Sequence, residues 1–271
     1  SDKLISILEA VGDESNIDEN GIAKVHPNWS YSDTFRIYYN NPGLSNIGRD
    51  IRRVFVAPPG YKIISIDISQ EEPTIMFNWL CPDETILGLM HEYNDFYKAF
   101  AAFMLDKHEL TKEDRNRAKT AWLAGSYGAS ISTIAKEIGL EDAKLFFRKL
   151  NEIESLKKYK QEAKKRVERR DLTVEAYFGT TREIPYRGFG YCERALINTP
   201  IQTTGSELLH FAIEDIDIYA RENNLGWDDL RFYLGIHDEV LILAKEEHVH
   251  HADNLANILR FKIDDWKPLN V

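Results

Sequence analysis

Two carboxylate positions stand where apolar runs end. Residues 63–67 read Ile-Ile-Ser-Ile-Asp, and residues 231–244, RFYLGIHDEVLILA, are two apolar runs flanking His237, Asp238 and Glu239. A carboxylate beside apolar strand residues is costly to desolvate unless it is paired or binds a cation. Brought together, Asp67 and Asp238 would suit a hard divalent ion such as Mg²⁺. Each taken alone reads first as a turn-capping aspartate, because Asp favours strand-to-turn junctions. A second set is cationic. Arg115, Lys119, Leu123 and Tyr127 recur at i+4 and so share one drifting helical face. An isolated RxxxK is no more than an exposed basic turn. His248, His250 and His251, within EEHVHHADNLANIL, read as part of an amphipathic surface helix in preference to a metal site.

These residues need elements to hold them. Ile63 to Asp67 is expected as a buried strand, preceded by the turn signal Ala57-Pro58-Pro59-Gly60 and by a β-branched run from Ile51 to Val56. Residues 231–244 are expected as a hairpin with charge at its tip. From Pro73 to about Arg170 the period is helical, with breaks expected at Gly88, Gly128 and Gly139. Ser69-x-x-Glu72 fits a capping box, which would put Pro73 at the fourth helical position and loosen the helix start. Leu4 to Ala10 is a short helix candidate. The sum is α+β: a small mixed or antiparallel sheet assembled from the two ends of the chain, with helices between.

Composition narrows the classes. The chain has 271 residues, 43% of them apolar, which excludes a disordered or fibrous protein. A formal charge of −10 argues against coating nucleic acid with the whole surface, so any such site must be local. One locality is the basic run from Lys144 to Arg170, which reads equally well as a solvated helix laced with i,i+4 pairs. Cys81 and Cys192 form no CxxC pair and suggest neither a disulfide framework nor a zinc site. No apolar run reaches a membrane span, and the N-terminal residues lack a signal-peptide pattern, so a soluble cytoplasmic protein (host cytoplasm if viral) is expected, with no membrane partner.

Six blocks, taken in order, carry a resemblance: residues 34–67 with TFRIYYNNPGLSNIG, DISQEE at 67–72, RNRAKTAWLAGSYG at 115–128, FGTTREIP at 178–185, ERALINTPIQTTGSELLHFAI at 193–213, and HDEV at 237–240. Together they resemble the palm and fingers of family A, polymerase I-like, DNA polymerases, with DISQEE, RNRAKTAWLAGSYG and HDEV similar to that family's A, B and C motifs. The resemblance implies a right-hand polymerase palm, a mainly antiparallel sheet with flanking helices, into which helical fingers are inserted, the thumb being absent or truncated. It implies a thumb/palm remnant over 1–33, palm over 34–80, fingers over 81–192 and palm again over 193–271.

The resemblance further implies template-directed addition of dNTPs to a primer 3′-OH, with two Mg²⁺ ions, or Mn²⁺ in their place, held by Asp67, Asp238 and the backbone carbonyl of Ile68. Glu239 would lie at the rim of that centre. Arg115, Lys119, Leu123, Tyr127, Gln70 and Glu72 would surround the dNTP, with Arg115 and Lys119 on its triphosphate and Glu72 excluding a 2′-hydroxyl. Arg36, Arg194, Asn198, Gln202 and His237 would meet the DNA primer-template, although Pro200 is expected to interrupt the face shared by Arg194, Asn198 and Gln202. Leu123 stands where the family has an aromatic residue and Trp122 where it has Asn, so stacking on the nucleotide is expected to weaken or move to Trp122. Ile68 and Thr74 also depart from the pattern, which points to a divergent branch of the kind phages or plasmids carry. Further domains, a thumb and an exonuclease or helicase, are expected outside this chain. Two alternatives stay open: a catalytically impaired relic that only binds nucleic acid, and a single-subunit RNA polymerase-like enzyme.

Overall fold

The computed structural model describes residues 9, 12–14, 17–19, 28–40, 43–45, 56–126 and 130–258, and the backbone of 46 and 259–264. The expectations placed on residues 4–8 and 51–55, on Gly128 and on Tyr127 lie outside the described residues. Along the chain run β1 (Asn28–Tyr31), β2 (Ile37–Asn40), β3 (Tyr61–Asp67), α1 (Glu71–Ile75), α2 (Glu84–Tyr93), α3 (Phe96–Leu105), α4 (Lys112–Ser126), α5 (Ile131–Ile138), α6 (Leu140–Glu152), α7 (Glu154–Glu168), β4 (Thr173–Glu175), β5 (Thr181–Glu183), α8 (Phe189–Glu222), β6 (Leu230–Ile236), β7 (Glu239–Lys245) and α9 (Ala252–Asp264). The mixed α+β architecture expected from the residue pattern is present. The chain divides into two compact units, residues 1–69 with 205–263, and residues 70–204 with 264–271.

The first unit is built on a three-stranded antiparallel sheet in the order β3-β7-β6. β7 is central, and Val240, Ile242 and Ala244 are wholly buried. β3 is an edge strand, which corrects the expectation of a buried run: only Ile64 is buried, while the face bearing Tyr61, Ile63, Ser65 and Asp67 opens toward solvent along its length. β6 closes the other edge with a bulge. Its register shifts between Phe232 and Leu234, which leaves Tyr233 outside the ladder and 48% exposed. The β1–β2 hairpin answers part of that edge, since the Tyr39 hydroxyl accepts a hydrogen bond from the Gly235 N–H at 3.2 Å.

The second unit is helical around an aromatic cluster. Trp122 on α4 packs at 4.8 Å from Phe96, 5.2 Å from Phe100 and 5.6 Å from Phe77, ring centre to ring centre, and Phe100 meets Phe146 of α6. Such pairs contribute roughly 0.5–1.5 kcal/mol each beyond their burial. Gly125 lies against this cluster, where a Cβ would run into the Phe146 ring. Gly139 separates α5 from α6 at φ 92°, a conformation suited to glycine. Gly88, expected as a break, sits inside α2, because the Asp83 carboxylate caps that helix from Thr85 and Ile86 and its neighbours Ile86 and Leu87 sustain the apolar pattern.

The start of α1 also differs from the expected capping box. The cap is Gln70, in left-handed conformation at φ 59°, and Ser69 takes no part in it. Pro73 is therefore the third helical residue, one of those whose N–H has no intrahelical partner in any case, so its missing donor costs nothing there. Thr74 makes the first backbone bond, to Gln70 O at 3.2 Å. The helix then widens to π geometry over Met76–Leu80, closing with Cys81 N–H on Met76 O at 2.9 Å.

α8 runs unbroken for 34 residues with Pro200 inside it, against the expected interruption. A proline leaves the carbonyl four residues back without its helical donor, here Leu196. Tyr159 of α7 supplies one: its hydroxyl lies 3.4 Å from Leu196 O and 3.0 Å from Ile197 O. Burial pushes the Tyr159 phenol far above its usual value, so it stays a donor. The basic run occupies α6 and α7, where Lys144–Glu141, Lys149–Glu152, Lys157–Glu154 and Lys165–Glu162 pair at i,i+3 spacing instead of the expected i,i+4. Pairs of this kind offset only part of the run's charge, since eleven Lys and Arg between residues 144 and 170 face four Glu.

Tyr159→Phe is expected to lower stability by about 1–2 kcal/mol, read as a lower thermal midpoint; an unchanged midpoint would mean the Leu196 and Ile197 carbonyls need no side-chain donor. Ser69→Ala is expected to leave the midpoint in place, within about 0.5 kcal/mol. A loss near the ~1 kcal/mol of a true N-cap would restore the capping box.

Candidate active site

The pairing of β3 with β7 sets Asp67 directly opposite Glu239. Immediately beyond the paired residues, the Ile68 N–H donates to the Asp238 carbonyl at 3.0 Å, which ties the two aspartate-bearing segments together at one end of the sheet. Ile68 itself is buried and anchors the chain there, while the Asp67 side chain is exposed and Asp238 partly so. Between β6 and β7 only His237 and Asp238 form the turn, and His237 adopts φ 57°. Positive φ at the first position of a two-residue hairpin loop normally falls to glycine, so this histidine is held in a sparsely populated conformation by the ladder on both sides. Glu239 is fixed by the Ser65 hydroxyl, which donates to its Oε1 at 2.6 Å.

Asp67, Ile68, Asp238 and Glu239 are thus brought together. Among the described residues no three His, Cys, Asp or Glu side chains converge to enclose a metal by themselves. Asp67 and Asp238 could supply hard oxygen donors at this sheet end, with the backbone of Ile68 next to them. That fits magnesium, which binds through one or two carboxylates and completes its shell with water and substrate phosphates. The histidines form a separate cluster. His248, His250 and His251 lie on or beside a short 3₁₀ turn ahead of α9, not on the single amphipathic helix expected, with His250 and His251 rings 4.2 Å apart. His251 Nδ1 is hydrogen-bonded to the Tyr219 hydroxyl at 2.7 Å, and burial together with its two histidine neighbours depresses its basicity.

Within the second unit, Arg115, Lys119 and Leu123 share the outer face of α4, and Tyr127, the fourth of the set, lies outside the described residues. The Arg115 guanidinium and the Lys119 ammonium stand 5.4 and 5.5 Å from the centre of the same Tyr97 ring. Arg115 Nε also donates to Asp95 Oδ2 at 2.8 Å. Leu123 is 39% exposed, whereas Trp122 is buried in the aromatic cluster. Of the two outcomes expected, weakened stacking or its transfer to Trp122, the packing of that ring among Phe77, Phe96 and Phe100 favours the first. Gln70 turns its side-chain oxygen to the Phe96 N–H at the start of α3.

A small cleft brings Glu72, Asn198 and Gln202 together, with Met76, Trp122, Ser126 and Ile201 completing its walls. The continuity of α8 through Pro200 makes this possible, since Arg194, Asn198 and Gln202 then follow one another on a single face, Arg194 exposed and the other two half-buried. In the first unit, Arg36 follows the β1–β2 turn, where its N–H donates to the Ser32 hydroxyl at 3.0 Å. Sequence reasoning passed over Asp95, Tyr97, Ser65 and Tyr159. Asp95 alone carried a legible signal, an Asp directly before the apolar run FYKAFAAF, the pattern of a helix N-cap.

Comparison with known proteins agrees with this architecture. The sequence matches the family model described as DNA polymerase family A over residues 7–265. DNA polymerase I of Chloroflexus aurantiacus is 30% identical over 238 residues, covering 82% of this chain and 25% of that protein. DNA polymerase I of Pseudomonas aeruginosa is 30% identical over 236 residues, 81% of this chain and 25% of that one. The thermostable DNA polymerase I of Thermus aquaticus is 27% identical over 241 residues, with shares of 82% and 28%. This chain spans about a quarter of the length of these curated relatives. The fold is similar to that of a solved structure, the POL domain of Pol1 from M. smegmatis in complex with DNA primer-template and dNTP, with a TM-score of 0.80 and 23% identity over 100% of this chain and 49% of that one. With the match running from residue 7 to residue 265, across both carboxylate-bearing strands and the cationic helix between them, the chain belongs to DNA polymerase family A.

Proposed function

We propose that this chain carries the nucleotide-adding centre of a template-directed DNA polymerase. The observation that carries this reading is the β3–β7 register, which supports a pair of aspartates, Asp67 and Asp238, at the open end of one sheet. Asp67, Asp238 and the Ile68 carbonyl would hold two magnesium ions, with manganese able to replace them, and the ions when bound would acidify the primer 3′-hydroxyl and neutralise charge on the departing pyrophosphate. In the reaction the 3′-oxygen forms a bond to the α-phosphorus, the bond from that phosphorus to the β-bridging oxygen breaks, and the hydroxyl proton is lost to solvent. Glu239, at the rim and tied to Ser65, adds negative charge that helps retain cations there.

Arg115 and Lys119 would bind the triphosphate and offset the charge that accumulates on it during transfer. Leu123 offers an aliphatic surface to the nucleotide in place of an aromatic ring, and Tyr127 would close the same face. Gln70 acts one step back, by holding the α3 N-terminus beside Asp95. Glu72, in a cleft with Asn198 and Gln202, supports a role in excluding a 2′-hydroxyl. Arg36, Arg194, Asn198, Gln202 and His237 would meet the primer-template through groove geometry and phosphates, which carry no sequence information. Residues 34–80 and 193–271 would serve as palm and 81–192 as fingers, and domains outside this chain would contribute the remaining grip on duplex DNA.

Primer extension on a DNA template with Mg²⁺ tests the centre. Asp67→Asn and Asp238→Asn are each expected to lower the rate by about 10²–10³ or more, the scale of removing one charge-stabilising group; activity that survives both substitutions sinks the assignment. Glu72→Ala is expected to raise the use of ribonucleotides relative to deoxyribonucleotides by about tenfold or more. Unchanged sugar discrimination would leave Glu72 as a wall of the cleft and nothing else.

A further inference from the structure

We infer that Asp95 is a positioning residue for the reaction, one that presents Arg115 to the polyphosphate of the incoming nucleotide. The inference rests on the assignment of Arg115 to the triphosphate given above. Asp95 divides its two carboxylate oxygens between two tasks. Oδ1 caps α3 by accepting the Lys98 N–H at 2.9 Å, and Oδ2 accepts from Arg115 Nε at 2.8 Å. Phe96, the first residue of α3, gives its N–H to the Gln70 side-chain oxygen. The acceptor that holds Arg115 therefore stands on a helix end where the Phe96 and Lys98 N–H groups are already bonded to side chains.

Where the guanidinium is gripped decides what it can still do. A carboxylate in bidentate contact would occupy the planar fork that matches phosphate oxygens. Asp95 bonds the inner nitrogen, Nε, and no bond from Nη1 or Nη2 to another of the described residues is present. The Tyr97 ring, buried and next in sequence but one, packs beside the guanidinium 5.4 Å away and supports Lys119 at nearly the same distance. A long, flexible side chain is thereby restrained with its outer donors available, so less rotamer freedom remains to be lost when phosphate binds.

A rival role for the same carboxylate has the opposite sign. As a mere competitor, Asp95 would repel a polyphosphate, and removing its charge would tighten binding. Asparagine separates the two, because Asn caps a helix as well as Asp does and so keeps α3 in place while the charged acceptor is lost. The probes are inorganic tripolyphosphate and dTTP, each titrated calorimetrically with Mg²⁺ into the whole 271-residue chain. Asp95→Asn is expected to weaken tripolyphosphate binding about tenfold, on the scale of one charge-assisted hydrogen bond, with the thermal midpoint unchanged. In primer extension the same variant is expected to raise the KM for dTTP and to lower kcat as well, since the charge that Arg115 offsets grows during transfer. In an Arg115→Ala background, Asp95→Asn is expected to add nothing, since the two act as one unit. Wild-type or tighter binding by Asp95→Asn, or a loss that adds in full to that of Arg115→Ala, overturns the inference. Unaltered tripolyphosphate binding by Arg115→Ala overturns the assignment of Arg115 itself, and the inference with it.

Discussion

The register between β3 and β7 is the constraint on which the carboxylate centre depends. In a sheet the side-chain period is two, so a slip of one residue would carry Asp67 to the opposite face and set Ile68 against Glu239. Burial of Val240, Ile242 and Ala244 on the central strand resists such a slip, because it would expose residues that are now wholly enclosed. The bulge at Tyr233 then matters as a correction of phase. It absorbs one residue of β6, so that Ile236 still meets Glu239 and the turn can close in two residues with Asp238 inside it. The left-handed His237 follows from that closure and is maintained by it. An open-faced edge strand, a bulge and a strained turn look like separate irregularities, yet each is what the pairing requires if an aspartate is to stand at the tip.

The helical unit obeys a different constraint, the need to satisfy backbone groups at helix ends and at a proline. Pro73 and Pro200 show the two outcomes. At the third helical position Pro73 removes a donor that has no acceptor, and no compensation is needed. In the interior of α8 Pro200 leaves a carbonyl without its donor, and a buried phenol from α7 is spent on it. The result is a continuous face carrying Asn198 and Gln202 into the cleft with Glu72. Sequence position alone separates a harmless proline from a disruptive one only when the helix boundary is known to within a residue, and boundaries are the least legible feature of a sequence.

That asymmetry explains what could be read without coordinates. The hairpin of residues 231–244 was legible because alternating apolar runs around a charged pair have few other solutions. The shared face of Arg115, Lys119 and Leu123 was legible because helical period is local. The Ser69 cap was misplaced because Ser-x-x-Glu describes a pattern that any backbone could decline, and here the chain entered α1 through a left-handed Gln70 instead. Trp122 stayed ambiguous for another reason. A large aromatic residue next to a binding face can belong to the site or to the core, and only the ring partners on α3, remote in sequence, decide which.

The core in fact determines the face. Ala118, Ala121, Trp122 and Gly125 are the buried residues of α4, spaced at i, i+3, i+4 and i+7, and the fit of Trp122 among Phe77, Phe96 and Phe100 fixes the rotation of the helix about its axis. Gly125 allows Phe146 close against the same stripe, which holds that rotation three residues further along. Arg115, Lys119 and Leu123 point outward as the complement of this stripe, so their presentation is set by the residues of the core. The exchange of an aromatic residue for Leu123 on the outside, with a tryptophan taken into the core beside it, then has one physical reading. Stacking surface has been given up on the outer face, while the inward anchor of the helix has been strengthened. Under the proposed function, the cations and the Tyr97 ring beside them would then carry a greater share of nucleotide recognition than the base-stacking position does.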